Sequence, residues 1–194
     1  ASRNSPGGGT PRRLLNALQR GNLHDMATDV SVELTLRNLM KTDQLYLSQN
    51  HHNCVMTKYP GFSSSTHWHQ DIRYWSFKKP ELVSMWIPLG VENEENGALR
   101  VIPGSHRLEF EKERFDSELF LRMDIERNLD LVSNAATVFL QPGDVLFFHS
   151  RLLHAAGKNK TKGIKLSVVY TYYSAENSPI PGTRSAINAP VGLP

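Results

Sequence analysis

The pattern of apolar and polar positions changes period along the chain, and the changes mark out its elements. Near the N-terminus, Thr10-Pro11 precedes Leu14, Leu15 and Leu18, with Gly21 beyond them. This predicts a short helix with Thr as cap, Pro at the first position and Gly as stop. Residues 29–40 predict a second helix, with Val30, Leu34, Leu36 and Leu39 facing inward. From residue 44 the period shortens to two. Residues 44–48 and 54–59 read as strands rich in Tyr, Val, Met and Thr, separated by the polar run Asn50-His51-His52-Asn53. Residues 82–91 predict a buried strand whose internal Pro88 suggests an edge or a bulge. Residues 92–97 form a charged turn, and 98–102 a strand halted at Pro103-Gly104. Residues 106–134 are charged, with Phe115, Leu119 and Met123 spaced by four, which predicts a helical excursion from the sheet. Strands at 137–140 and 145–148 flank Pro142-Gly143-Asp144. A last strand at 166–173 alternates Val168, Tyr170 and Tyr172 with Val169, Thr171 and Tyr173. Many short strands with Gly/Pro turns and few helices indicate a mainly β fold, a cupin-like jelly roll. The expected organisation is one domain over 1–194: a helical segment (1–43), a jelly-roll core (44–174) and an irregular tail (175–194). Residues 1–9, a Ser/Gly/Pro stretch without a buried pattern, are expected to be a flexible loop.

Composition narrows the class. With 39% hydrophobic and 21% charged residues, the chain is an ordinary globular protein. Its net charge of +3 comes from Lys and Arg scattered along the sequence, which argues against nucleic acid as a partner. No apolar run approaches the roughly 20 residues that span a bilayer, so no membrane partner is expected. The single cysteine, Cys54, excludes an internal disulfide framework and favours a cytoplasmic location.

The chemistry centres on His67-Trp68-His69-Gln70-Asp71. Side chains on an extended strand repeat every two residues, so His69 and Asp71 face the same way. An imidazole and a carboxylate on one face are two of the three donors of a facial 2-His-1-carboxylate iron site. The third must arrive from a distant strand, and His154 is the candidate. His67 shares the face and is expected to line a pocket rather than act as a fourth ligand. Gln70 points away by alternation and is a lesser candidate for a substrate contact. Lys58, on the strand leading toward this motif, is a candidate for an acidic co-substrate or substrate. Tyr74 is a candidate for the pocket wall, and Arg184 for covering the mouth. A helical His pair, as zinc hydrolases present, is absent from the sequence.

Two further segments extend the pattern. Residues 96–106 read Asn-Gly-Ala-Leu-Arg-Val-Ile-Pro-Gly-Ser-His. Residues 142–150 read Pro-Gly-Asp-Val-Leu-Phe-Phe-His-Ser, and 152–159 Leu-Leu-His-Ala-Ala-Gly-Lys-Asn. With the His67–Asp71 stretch, in this order over residues 45–173, the chain resembles the phytanoyl-CoA dioxygenase family. The resemblance implies a double-stranded β-helix core that uses Fe(II), 2-oxoglutarate and O2, with His69, Asp71 and His154 as iron ligands. It implies hydroxylation of a C–H bond in a small organic molecule, with release of succinate and CO2. The carboxylate ligand Asp71 favours hydroxylation over halogenation. Family members carry an Arg eleven residues after the distal His, which pairs with the far carboxylate of 2-oxoglutarate. Here that position is Lys165, a point charge in place of a bidentate fork. Trp86 stands where the family has a Trp lining the co-substrate pocket, and Thr57 or another hydroxyl is expected to assist Lys165. Lys165 also sustains an alternative from another class, a catalytically inactive jelly-roll protein that binds a metal or ligand.

Overall fold

The computed structural model describes residues 10–194, and the expected loop at residues 1–9 lies outside them. The first elements are β1 (Arg13–Leu15), α1 (Asn22–Ala27), α2 (Val30–Met40), β2 (Leu45–Leu47) and β3 (Asn53–Lys58). Then come β4 (Thr66–His69), β5 (Leu82–Pro88), β6 (Leu99–Val101), α3 (Glu126–Ser133) and β7 (Ala136–Thr137). The chain closes with β8 (Leu146–His149), β9 (His154–Ala156), β10 (Lys165–Ser174) and β11 (Val191–Gly192).

The long strand β10 is the axis of the larger, seven-stranded sheet. One edge pairs with β3 along its first half and with β2 along its last; the other edge pairs with β5, which carries β8. β1 extends β3, and β11 extends β2. The facing sheet runs β4-β9-β6-β7. Every pairing is antiparallel, so the architecture is the expected mainly β jelly roll.

The two-residue period of β10 gives each face its task. Val168, Tyr170 and Tyr172 pack under the helical segment with Leu36 and Ala27. The Tyr170 hydroxyl donates to the Leu23 carbonyl and the Tyr172 hydroxyl to the Ala27 carbonyl, both at 2.8 Å. These bonds let two large phenols be buried without stranding a polar group. The alternate positions, among them Lys165, Ser167 and Thr171, turn toward the other sheet.

Several expectations are corrected. Residues 10–21 are not a helix. Arg13–Leu15 pair with β3 opposite Cys54–Met56, and only Ala17–Gln19 make a 3-10 turn. Leu14 and Leu15 are exposed, so a helix there would have no apolar face to bury, whereas the β3 edge supplies backbone partners. The helix α2 is capped by Asp29, and it buries Leu36 as expected but with Val32 and Glu33 beside it. Val30, Leu34 and Leu39 face solvent. Pro88 marks no edge: β5 lies between β10 and β8, and Pro88 is its last residue, where a missing N–H costs little. In the excursion only Glu126–Ser133 is α-helical. Phe115 instead bridges Leu121, and Leu119 has a positive φ of 61°. Buried Asn128 holds this loop by donating to the Arg114 and Arg122 carbonyls. The strand expected at 137–140 shrinks to β7, with Leu140 bridging Glu92.

One glycine matters for the site. At Gly97 (φ 78°) an added Cβ would lie 2.5 Å from the Gly157 carbonyl oxygen. The turn before β6 therefore packs directly on the strand end after β9.

Candidate metal centre

His69 and His154 are direct partners across β4 and β9, the last residue of one strand opposite the first of the other. Asp71 is not on the strand. It opens a 3-10 turn, Asp71–Tyr74, but the intervening Gln70 keeps an extended backbone (φ −108°, ψ 135°), which returns the carboxylate to the side of His69. The Nε2 atoms of both imidazoles stand 3.5 Å from Asp71 Oδ1, and the two rings are 4.3 Å apart. One ligand atom from each residue can be chosen so that all lie within 4.8 Å of one another, and all three residues are buried.

The tautomers are set by the backbone. His69 Nδ1 lies 2.8 Å from the His67 carbonyl oxygen, and His154 Nδ1 3.0 Å from the Leu152 carbonyl oxygen. A carbonyl can only accept, so each Nδ1 carries the proton and each Nε2 presents a lone pair toward Asp71. This is the donor set a divalent transition metal requires.

The far oxygen of Asp71 is held from the larger sheet. Ser84 Oγ and His52 Nδ1 each lie 3.5 Å from Asp71 Oδ2, and His52 Nδ1 lies 3.3 Å from Thr171 Oγ1. Burial alone would push the Asp71 carboxyl up, but the neighbouring His52 and His154 hold it well below the usual carboxylate range. Burial pushes His69 and His52 down. For His154 the attraction of Asp71 outweighs burial and raises it.

The triad opens into a cavity of about 260 Å³ whose wall also includes Lys58, Trp86 and Lys165. Lys165 is 7% exposed, and its Nζ sits 2.9 Å from Oε2 of Glu92, which is 1% exposed. The same ammonium donates to Ser167 Oγ at 3.2 Å and lies 5.1 Å from the centre of the Trp86 ring. Glu92 Oε1 accepts from Trp86 Nε1 at 3.0 Å and from the Ser167 hydroxyl.

The remaining expected residues divide. Tyr74 lines the cavity with its ring 6.0 Å from that of His69. His67 lines the exposed rim against Phe120, after a register irregularity in β4. Lys58 donates to the Gly157 and Ser64 carbonyls. Thr57 borders the cavity, but strand alternation turns it away from the Lys58 side and its hydroxyl donates to the Pro11 carbonyl. Ser167, two residues after Lys165 on the same face, is the hydroxyl actually beside that lysine. Gln70 does not reach the cavity: its amide donates to the Arg151 carbonyl. Arg184 does not cover the mouth, being exposed in the turn Arg184–Ala186 near His51. The sequence reading missed His52, which lay in a polar run taken as an interruption, and Glu92, which lay in a charged turn. Alternation along β10 could have found Ser167 and Thr171.

Comparison with known proteins accords with this geometry. The sequence profile of the family described as phytanoyl-CoA dioxygenase (PhyH) matches residues 12–167. The human peroxisomal phytanoyl-CoA dioxygenase is 30% identical over 152 residues, which are 73% of this chain and 45% of that protein. The chain thus spans about half the length of the curated relatives it matches. Among solved structures, the epimerase SnoN in complex with Fe3+, alpha ketoglutarate and nogalamycin RO superposes with a TM-score of 0.74 at 22% identity. That match covers 91% of this chain and 71% of the other. EctD from S. alaskensis with 2-oxoglutarate and 5-hydroxyectoine gives 0.75 at 20% identity, covering 94% and 66%. These two likenesses establish the jelly-roll fold. The profile match extends over most of the sequence, and with it the chain belongs to the phytanoyl-CoA dioxygenase family.

Proposed function

We propose that the protein is an Fe(II)- and 2-oxoglutarate-dependent dioxygenase that hydroxylates a C–H bond of a small organic molecule and releases succinate and CO2. The observation that carries this reading is the buried triad of His69, Asp71 and His154, with both imidazole tautomers fixed by backbone carbonyls. Iron(II) held there would supply dioxygen activation coupled to decarboxylation of the co-substrate. The chain's own residues orient and exclude. His52 and Ser84 steady the Asp71 carboxylate. Tyr74, Phe120 and Phe148 wall the triad with aromatic surface that keeps water from the reacting centre. Trp86, Ser167 and Lys165 form the polar end of the cavity, suited to a carboxylate. The rim, with His67, Arg12 and Arg13, is the proposed entry of the substrate.

The test is succinate formation from 2-oxoglutarate in air on addition of Fe(II), with Asp71→Ala as the blank. Absence of succinate from the wild type overturns the reading. A second reading, a metal- or ligand-binding jelly roll without turnover, is favoured by one observation: Glu92 already neutralises Lys165. It requires metal binding with no succinate. Among the described residues no helix is long and apolar enough to cross a membrane. A cytoplasmic location is proposed on the single buried thiol, Cys54, which suits a reducing compartment. Fractionation against a peroxisomal marker, the compartment in the human relative's name, tests it.

A further inference from the structure

Lys58 and Lys165 are directly opposite each other across β3 and β10. Paired positions project from the same face of a sheet, and both residues line the cavity that holds the triad. Like charges directly opposite are destabilising in an antiparallel pair, and here one ammonium is buried and the other half-buried. Glu92 offsets only one of them. Its Oε2 faces Lys165, and its Oε1 is taken by Trp86 and Ser167, which fixes the carboxylate on the Lys165 side. Within this group two ammonium groups and one carboxylate leave one positive charge uncompensated, and Arg12 and Arg13 add theirs to the same cavity.

The donor count points the same way. An ammonium has three N–H groups. Lys58 gives two to the Gly157 and Ser64 carbonyls, and Lys165 directs one to Ser167 Oγ and another at Glu92. One donor of each remains for a ligand. The charge on Lys58 is also under strain: burial, then repulsion by Lys165 and Arg12, against the attraction of Glu92, pull its pKa down to about 8. A lysine that merely capped two carbonyls would have no need to sit opposite a second buried ammonium.

We propose that Lys58 and Lys165 form a two-ammonium clamp for one carboxylate of an anionic ligand, with Glu92 as the fixed counter-charge, so that Lys58 supplies the net positive charge. The clamp rests on the 2-oxoglutarate-dependent reading and takes the carboxylate of the co-substrate that is remote from its keto group. It accounts for a site that works with Lys in place of the family's Arg: two point charges stand in for one fork.

The experiment is calorimetric titration of Mn(II)-loaded protein with 2-oxoglutarate and, separately, with 2-oxopentanoate, which lacks the second carboxylate. Lys58→Met is expected to weaken 2-oxoglutarate by about 10–100-fold, the range for a lost charge-assisted hydrogen bond. It should leave 2-oxopentanoate unchanged, which also reports an intact fold. Lys58→Arg, which keeps the charge, should retain most of the 2-oxoglutarate affinity. Unchanged 2-oxoglutarate affinity in Lys58→Met overturns the clamp alone, and so does an equal loss for both acids, the mark of a structural role. Failure of the Mn(II)-loaded wild type to bind either acid overturns the co-substrate reading and the clamp with it.

Discussion

His52 sits behind the triad, its Nδ1 within 3.5 Å of both the Asp71 carboxylate and the Thr171 hydroxyl. It donates nothing to a metal directly, yet it sets where Asp71 can point. Replacing it by Ala is expected to lower metal affinity roughly 10–100-fold, as loss of a group that orients a ligand does, measured by competition with a chelator. Equal affinities would remove His52 from that role. Lys58 carries a different dependence. Facing Lys165, Arg12 and Glu92, it loses its proton near pH 8 in the free protein. Affinity for 2-oxoglutarate should therefore be flat below about pH 7 and fall as pH rises past 8, with Lys58→Met flattening the fall. A wild-type profile level to pH 9 would contradict it. At this scale His69 and Asp71 were legible because an H-x-D spacing on extended backbone brings two donors to one face, whereas His154, on a distant strand, rested on the family resemblance. Glu92 was not. Beside Glu94 and Glu95 it looks like one more solvated charge, and only the bridge to Leu140 and the packing of Trp86 bury it.

The turn before β6 and the segment after β9 touch through backbone, with Gly97 against the Gly157 carbonyl that accepts from Lys58. A methyl group at Gly97 would meet that oxygen at 2.5 Å with φ at 78°. Gly97→Ala is expected to cost about 1–3 kcal/mol, read by denaturant unfolding. It should also weaken 2-oxoglutarate more than 2-oxopentanoate, because the displaced carbonyl is a support of Lys58. Stability and affinity equal to the wild type would count against both. Elements were readable where period and burial agree, as along β5 and β10. They were misread where spacing lacked a surface to bury: Leu14 and Leu15 looked helical but lie exposed on a strand, and Phe115, Leu119 and Met123 keep a four-residue spacing without a helix. For α2 the extent was legible, whereas the buried face depended on where the sheet stood.

Across the whole molecule, the triad ties the two sheets together: its imidazoles come from β4 and β9, and the side chains behind Asp71 come from the other sheet. A metal that binds only the folded state should therefore stabilise the fold cooperatively. At a free concentration 100 times its Kd it adds about 2.7 kcal/mol, or roughly 5–10 °C in Tm for a chain of this size. Chelation should reverse the shift, and Asp71→Ala should show none; a wild-type Tm indifferent to metal would contradict the site. The position of β10 carries a consequence in time. The strand that pairs with β2, β3 and β5 is made after all of them, and His154 is made long after His69 and Asp71. On the ribosome His69 and Asp71 emerge after His52 but before Ser84, His154 and Thr171. The last of these groups, Thr171, lies on the strand that begins at Lys165 and runs between β3 and β5. Such distant pairings make for slow folding, and the set of groups around Asp71 is complete only once that strand has paired.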